Sequence, residues 1–406
     1  MAILGRAPRA SAHRPGERTR VSLTAPLHTT GGITTWMRTV LDSSTMVDWT
    51  CFDTTRHAPM GNRKGPRVRI AEAKQDLTRG IAIMRAWRSG AYDVAYLTCP
   101  PSIGFAVRDL PLVLAASAMH LPVIIHLHGG DVDGFFGTGL RLWFVRHSIK
   151  RASLTIVITR DVEEFIVQHF DVPQLINLPN PLPDSVVDEA LRARPDPPAD
   201  KTLIHVGWQA PAKGSLCAIR AMQFLPDDYS LRLIGQVDER NRELIEQTAS
   251  VSGVRERVTL VGNVDPDRVR AEMLSASVLL LPAWRHEGQP LVVAEAMARG
   301  LPIVATPVGA IREMIASEGS PAAGRIVDAG ASAAEPARPE DVANAVLDLA
   351  TSPAAWLAAS DAGRARAAAL RASRLVPELE RHIQEIAAGR EPAPEPITSA
   401  DGHLPR

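Results

Sequence analysis

The amino-acid sequence predicts an α/β protein of two doubly wound, parallel-sheet domains, and three observations carry that prediction. In the second half of the chain, short apolar runs alternate regularly with helical stretches, as a parallel sheet with crossover helices requires. The first half repeats this rhythm less cleanly. A proline-rich joint, Asn180-Pro-Leu-Pro183 followed by Arg194-Pro-Asp-Pro-Pro198, divides the two halves. At 406 residues the chain also exceeds what a single core usually serves.

Taken in order, Val21–Ala25, Val47–Phe52, Val94–Thr98, Val123–His126 and Thr155–Thr159 read as the strands of the first half, with helices between them. In the second half the strands are Leu203–Val206, Leu231–Ile234, Val258–Val261, Val278–Leu281 and Ile303–Ala305. Helices are expected near 215–225, 239–249, 266–275 and 290–299, then after Pro339 and around Ser373–Ala387. Residues 1–19 lack the apolar core of a signal peptide and read as a disordered basic lead. Residues 389–406 are proline-rich and polar, and read as a flexible tail.

Composition narrows the function. Formal net charge is zero and 45% of residues are apolar, a globular and soluble balance. No apolar run reaches the ~20 residues needed to span a bilayer. Cys51, Cys99 and Cys217 have neither disulfide nor metal spacing, and an odd count suits a reducing, cytoplasmic setting. No strand is followed by G-x-G-x-x-G, so a dinucleotide cofactor is not expected, and no nucleic-acid partner is read here. Residues 1–180 hold 21 Lys and Arg against 14 Asp and Glu, leaving 24 against 31 for the remainder. A basic half beside an acidic half suits either an anionic partner or attraction between domains.

The most informative stretch is Arg285-His286-Glu287-Gly288-Gln289-Pro290, which continues through Glu295 to Gly300 and Pro302. It follows the apolar run 277–281, a buried strand. Pro290 is expected at the first helical position, and Gly300 at the helix end. Unpaired N–H groups near Gly288–Leu291 then form a phosphate site at the strand's carboxyl end. Glu287 and Glu295 frame it as acceptors for sugar hydroxyls. Glu295 lies in a helix with almost no polar face and needs a partner. We read that partner as a ligand, not a neighbouring cation.

These residues, E-G-x-P-(x4)-E-A-M-A-x-G-x-P, resemble the E-x7-E signature of retaining family 4 glycosyltransferases, which have the GT-B fold. The resemblance continues through Val304-Ala-Thr-Pro-Val-Gly309 to Glu313. It implies two Rossmann-like domains facing across a cleft: an acceptor domain at 20–185 and a nucleotide-sugar domain at 199–370. A last helix at 371–388 would cross back to the first domain. No metal or cofactor is implied, since the nucleotide-sugar is a substrate.

The other strand-end loops follow the same logic, because ligands of open parallel sheets bind beyond the strands' carboxyl ends. His28-Thr-Thr-Gly31-Gly32 follows the first strand, and paired glycines permit close backbone approach. By resemblance, Gly31 and Gly32 approach the donor diphosphate. In His126-Leu-His128-Gly129-Gly130-Asp131, alternation puts both histidines on one side. The resemblance assigns His128 to the transferred sugar and leaves His126 structural. Asp131-Val-Asp133 mimics a D-x-D metal motif that belongs to a different glycosyltransferase fold. Gly207-Trp208-Gln209-(x3)-Lys213-Gly214 resembles the family's G-R-L-(x3)-K-G. It places Lys213 at the diphosphate and departs from the pattern at Trp208, where arginine is usual. Arg285 and Arg160 are candidates for the missing cation. Gly262-Asn263-Val264 is placed near the base, and Asn180-Pro181 at a hinge.

Residues 135–151 mix Phe135, Phe136, Leu140, Trp143 and Phe144 with Arg141, Arg146, Lys150 and Arg151. Such a segment either buries its aromatic face or contacts an anionic membrane peripherally. The expected activity is retaining transfer of a sugar from a nucleotide-sugar donor to a carbohydrate or lipid-linked hydroxyl acceptor, in glycan, polysaccharide or glycolipid assembly. Glu287, His128 and Lys213 would be catalytic. Gly31, Gly32, Lys213, Gly288, Gln289, Pro290, Leu291 and Glu295 would bind the donor. The alternatives are a nucleotide-sugar epimerase or phosphorylase on the same fold, or a catalytically impaired nucleotide-sugar-binding protein, the latter suggested by Trp208.

Overall fold

Two six-stranded sheets, parallel throughout, organise the chain. The computed structural model describes residues 18–28, 31–55, 66–101, 105–192, 197, 200–284, 287–316, 319–332 and 334–389. Most of the lead and tail, residues 194–196 and 198 of the joint, Arg285 and His286 lie outside the described residues.

In the first sheet, β1 (Thr19–Ala25), β2 (Val47–Asp53), β3 (Val94–Cys99), β4 (Val123–Leu127), β5 (Leu154–Val157) and β6 (Leu175–Asn177) lie in the order β2-β1-β3-β4-β5-β6. In the second, β7 (Thr202–Val206), β8 (Ser230–Ile234), β9 (Val258–Gly262), β10 (Val278–Leu281), β11 (Ile303–Ala305) and β12 (Gly324–Ile326) lie in the order β12-β11-β10-β7-β8-β9. Helices cover both faces, which is why β3, β4, β5, β10 and β11 are buried along their whole length and are predominantly apolar, broken only by buried Thr98, His126 and Thr155. The direction of travel across the sheet reverses between β1 and β3, and again between β7 and β10. Loops leaving such a pair diverge and open a crevice at the carboxyl ends.

Local chemistry sets the helix starts. Thr159, Asp238, Asp265 and Ser352 each cap a helix, their side chains accepting from Val162 N, Asn241 N, Arg268 N and Ala355 N. Thr159, read from sequence as a strand end, is thus a cap, and β5 stops at Val157.

The chain divides into two compact units. The first takes the described residues up to His128, then Val132–Leu178 and those from Leu375. The second holds Gly129–Asp131 and Pro179–Arg374. The helix Ala372–Ala387 therefore starts in the second unit and passes into the first, where Glu380 is fully buried. Its carboxylate accepts from Ser44 Oγ (2.5 Å), Thr45 N (3.1 Å), Met46 N (2.9 Å) and Val47 N (3.0 Å), the turn that leads into β2.

Candidate active site

In the second unit, the crevice between β7 and β10 gathers the residues that the sequence singled out. Beyond β7 the chain leaves through Gly207 and returns in a tight turn, Pro211–Lys213, ended by Gly214 in the left-handed region at φ +87°. A Cβ on Gly214 would overlap the Pro282 carbonyl, so this residue must be glycine. Two bonds fasten the turn. Trp284 N donates to Ala212 O (3.0 Å), and His205 Nε2 meets Lys213 O (2.8 Å). Lys213 Nζ then reaches Glu287 Oε1 at 2.5 Å, with side-chain exposures of 27% and 10%. The two residues are 74 positions apart in sequence and become neighbours only through the strand order.

Glu287 is held from behind. Gly130 and Gly309 (φ +58°) pass so close to its carbonyl that a Cβ on either would collide with it, and Ala310 N donates to Gly288 O (2.9 Å). Pro290 stands one position earlier than expected: it is the extended N-cap residue (φ −69°, ψ 118°) of the helix Leu291–Ala298. Leu291 and Val292 are therefore the first helical residues. Among the described residues, the N–H groups of Gly288, Leu291 and Val292 donate to no acceptor. Gln289 is engaged elsewhere, its Oε1 accepting from Asn180 N and its carbonyl from Asn180 Nδ2 (3.2 Å). At the far end, Gly300 N donates to Met297 O (3.0 Å) and Leu301 N to Ala296 O (2.9 Å), with Gly300 left-handed, so the helix closes as expected.

Glu295 is partly buried, and burial raises its pKa, opposed by the charge of Arg299. Our expectation that no cation serves it locally is corrected here. Arg299 lies one turn on, its Nη1 donating to Glu295 O (3.0 Å). A residue four positions away on a helix is a neighbour, however apolar the helix between.

The first unit holds the remaining candidates. Gly31 precedes the helix Gly32–Ser43 in extended backbone (φ 179°), and a Cβ on Gly31 or Gly32 would meet no atom within 4 Å. Thr34 Oγ1 ties this helix start to Pro26 O (3.0 Å). His126 and His128 share one side of β4, their ring centroids 3.8 Å apart, with Trp36 edge-on to both. Tyr96 OH bonds His126 Nδ1 (2.7 Å), while Nε2 of both histidines is buried without a partner among the described residues. Burial pushes the pKa of His128 down to about 3, and burial with the His128 ring holds His126 well below its ordinary value, so both are neutral.

Asp131 and Asp133 join no metal cluster: among the described residues, no group of three or more His, Cys, Asp or Glu could hold an ion. Trp208 is half-buried, and Arg160 opens the helix after β5. The segment 135–151 divides. Phe135, Phe136, Val145 and Ile149 are buried, whereas Leu140 (81% exposed) and Trp143 (60%) face outward with Arg146, Lys150 and Arg151. No described helix is long and apolar enough to cross a membrane.

Comparisons with known proteins agree with this architecture. The model described as "Glycosyl transferases group 1" matches residues 200–352, and "Glycosyltransferase Family 4" matches residues 50–183. A D-inositol 3-phosphate glycosyltransferase of Xylanimonas cellulosilytica is 33% identical over 260 residues, 59% of this chain and 61% of that protein. A phosphatidyl-myo-inositol mannosyltransferase of Mycobacterium leprae is 31% identical over 161 residues, 38% of this chain and 41% of that one. The chain thus spans about two-fifths to three-fifths of these curated relatives' lengths. Among solved structures, sucrose-phosphate synthase from Thermosynechococcus elongatus superposes with a TM-score of 0.69 at 18% identity, over 92% of this chain and all of that one. Anabaena HepE in complex with UDP gives 0.67 at 14%, over 90% of this chain and all of that one. Two parallel sheets of this topology and two family matches, one over the second sheet and one over β3 to β6 of the first, lead to one assignment: the chain belongs to the family 4 glycosyltransferases of the GT-B fold.

Proposed function

We propose that this protein transfers a sugar from a nucleotide-sugar donor to a hydroxyl acceptor, with retention at the anomeric carbon. The meeting of Lys213 with Glu287 beside the unpaired N–H groups of Gly288, Leu291 and Val292 carries this reading. An ammonium and a set of backbone donors suit a diphosphate, and they stabilise the charge it gains as the glycosidic bond breaks. Glu287 then orients the donor sugar's hydroxyls, and Glu295 takes the ribose. By the family pattern, Gly31 and Gly32 are assigned to the diphosphate as well. Neutral His128 contacts the transferred sugar as a hydrogen-bonding group, not as a cation. Retention without a separate nucleophile fits front-face attack, in which the departing phosphate takes the acceptor's proton.

The acceptor is a carbohydrate or a lipid-linked hydroxyl, and the activity belongs to glycan or glycolipid assembly. The names of two relatives, acting on D-inositol 3-phosphate and on phosphatidyl-myo-inositol, favour a polyol bearing an anionic group. Outward Leu140 and Trp143 with three exposed cations suit peripheral contact with an anionic membrane. A thermal-shift screen with UDP-, GDP- and ADP-sugars tests the donor, since a bound ligand raises Tm by mass action. One nucleotide class should stabilise the protein, and Lys213→Ala and Glu295→Ala should each remove most of that shift. If no nucleotide-sugar shifts Tm, the donor reading fails. Bound donor that is never turned over with any hydroxyl acceptor would favour a binding protein.

A further inference from the structure

We infer that His205 is a positioning residue, holding by its imidazole N–H the turn that presents Lys213 to the donor diphosphate. The inference rests on the donor reading above. His205 lies in the body of β7 and is fully buried. The strand's exit loop folds back so that the Lys213 carbonyl returns onto this side chain at 2.8 Å. A carbonyl oxygen only accepts, so the imidazole proton must sit on Nε2. Nδ1 has no hydrogen-bond partner among the described residues, and the Gln209 side chain lies beside the ring, so the tautomer is fixed by the Lys213 carbonyl. Burial holds the histidine below its ordinary pKa, which keeps a single proton on the ring.

The consequence lies in how Lys213 is held. Apart from the turn's own bonds, Lys213 N to Ala210 O and Gly214 N to Pro211 O, the ties that hold it among the described residues are Trp284 N to Ala212 O and His205 to Lys213 O. Lys213 is thus fixed at both ends, its carbonyl by His205 and its ammonium by Glu287. An incoming diphosphate can draw the ammonium from Glu287, whereas the His205 bond persists and keeps the lysine's base in place. A long side chain has much rotamer freedom to lose, so a loose base would dissipate much of its charge–charge gain. An aliphatic residue at 205 would fill the space and leave a buried carbonyl unpaired.

The test compares a nucleoside diphosphate with its own monophosphate by calorimetry, using whichever of UDP, GDP or ADP binds the wild-type protein most tightly. Lys213→Ala should weaken the diphosphate about tenfold or more and the monophosphate less than about twofold. His205→Leu should weaken the diphosphate about fivefold and spare the monophosphate, and His205→Gln, whose amide N–H reaches the same carbonyl, should recover most of the loss. If Lys213→Ala leaves diphosphate affinity intact, the donor reading itself falls. If Lys213→Ala weakens binding but His205→Leu does not, or weakens both nucleotides alike, the positioning role is overturned and the donor reading stands. Should His205→Leu not fold, long-range 1H–15N spectra of the wild-type protein decide. An Nε2–H tautomer at His205 supports the role, and an Nδ1–H tautomer or a doubly protonated ring overturns it.

Discussion

Lowering the pH from 7 to 5 should destabilise the protein through its buried histidines. His128 is held neutral down to about 3 in the fold, against an ordinary value near ~6.5 in the unfolded chain. Between those values the unfolded state binds a proton that the folded state refuses, so stability rises with pH across the window and is lost as pH falls. Integrating that proton uptake from pH 7 to pH 5 gives a loss of about 2 kcal/mol from His128 alone. His126 and His205, both lowered chiefly by burial, act in the same direction. Glu295 acts oppositely: its pKa is raised, so its folded form takes up the proton first as pH falls. The assay is urea unfolding at the two pH values and constant ionic strength, with His128→Phe as the comparison. The wild-type free energy should drop, and the drop should shrink in the variant. An unchanged free energy between pH 7 and 5, or a His128 imidazole that titrates by NMR near the ordinary histidine value, would refute the reasoning.

Three further outcomes are expected. Gly309→Ala must place a Cβ at φ +58° against the Glu287 and Gly288 carbonyls; it should cost about 1–3 kcal/mol of stability and most of the transferase turnover, read by Tm and by initial rates. Glu380→Ala leaves three backbone N–H groups without their acceptor and the Ser44 hydroxyl with only the Val47 carbonyl, and should lower the unfolding free energy in urea by about 3–5 kcal/mol. Leu140→Asp with Trp143→Asp should abolish sedimentation with phosphatidylglycerol vesicles and leave turnover on a soluble acceptor within about twofold; retained vesicle binding would argue against the membrane face.

Much of the sheet architecture could be read from sequence because a strand covered on both faces is predominantly apolar, as Val278–Leu281 is throughout and Val94–Cys99 is but for Thr98. β6 and β12 escaped that reading. Each is a three-residue edge strand, and Leu175–Asn177 and Arg325–Ile326 are not fully buried, so neither forms a distinctive apolar run. Within the site, Lys213 and Glu287 were each legible from their loops and the family pattern. Their pairing was not, since it depends on β7 lying beside β10. Arg299, four positions on from Glu295, is within reach of helix periodicity, although the apolar residues between them point to a ligand instead. His205 carried a usable signal, a histidine inside an apolar strand that had to find a partner, though nothing local named the Lys213 carbonyl.

The engagement of Glu380 with the Ser44–Val47 turn bears on how the protein is made. Synthesis runs from the N-terminus, so the strands of the first unit leave the ribosome long before residues 375–387, which complete that unit. The second unit, by contrast, has its described sequence from Pro179 to Arg374 in hand earlier. The half that begins first is therefore finished last, and must wait with the turn before β2 lacking its acceptor while its neighbour can already fold. A fragment cut at the joint would inherit the same gap permanently, and co-expressing the helix Ala372–Ala387 as a separate peptide is the natural way to fill it.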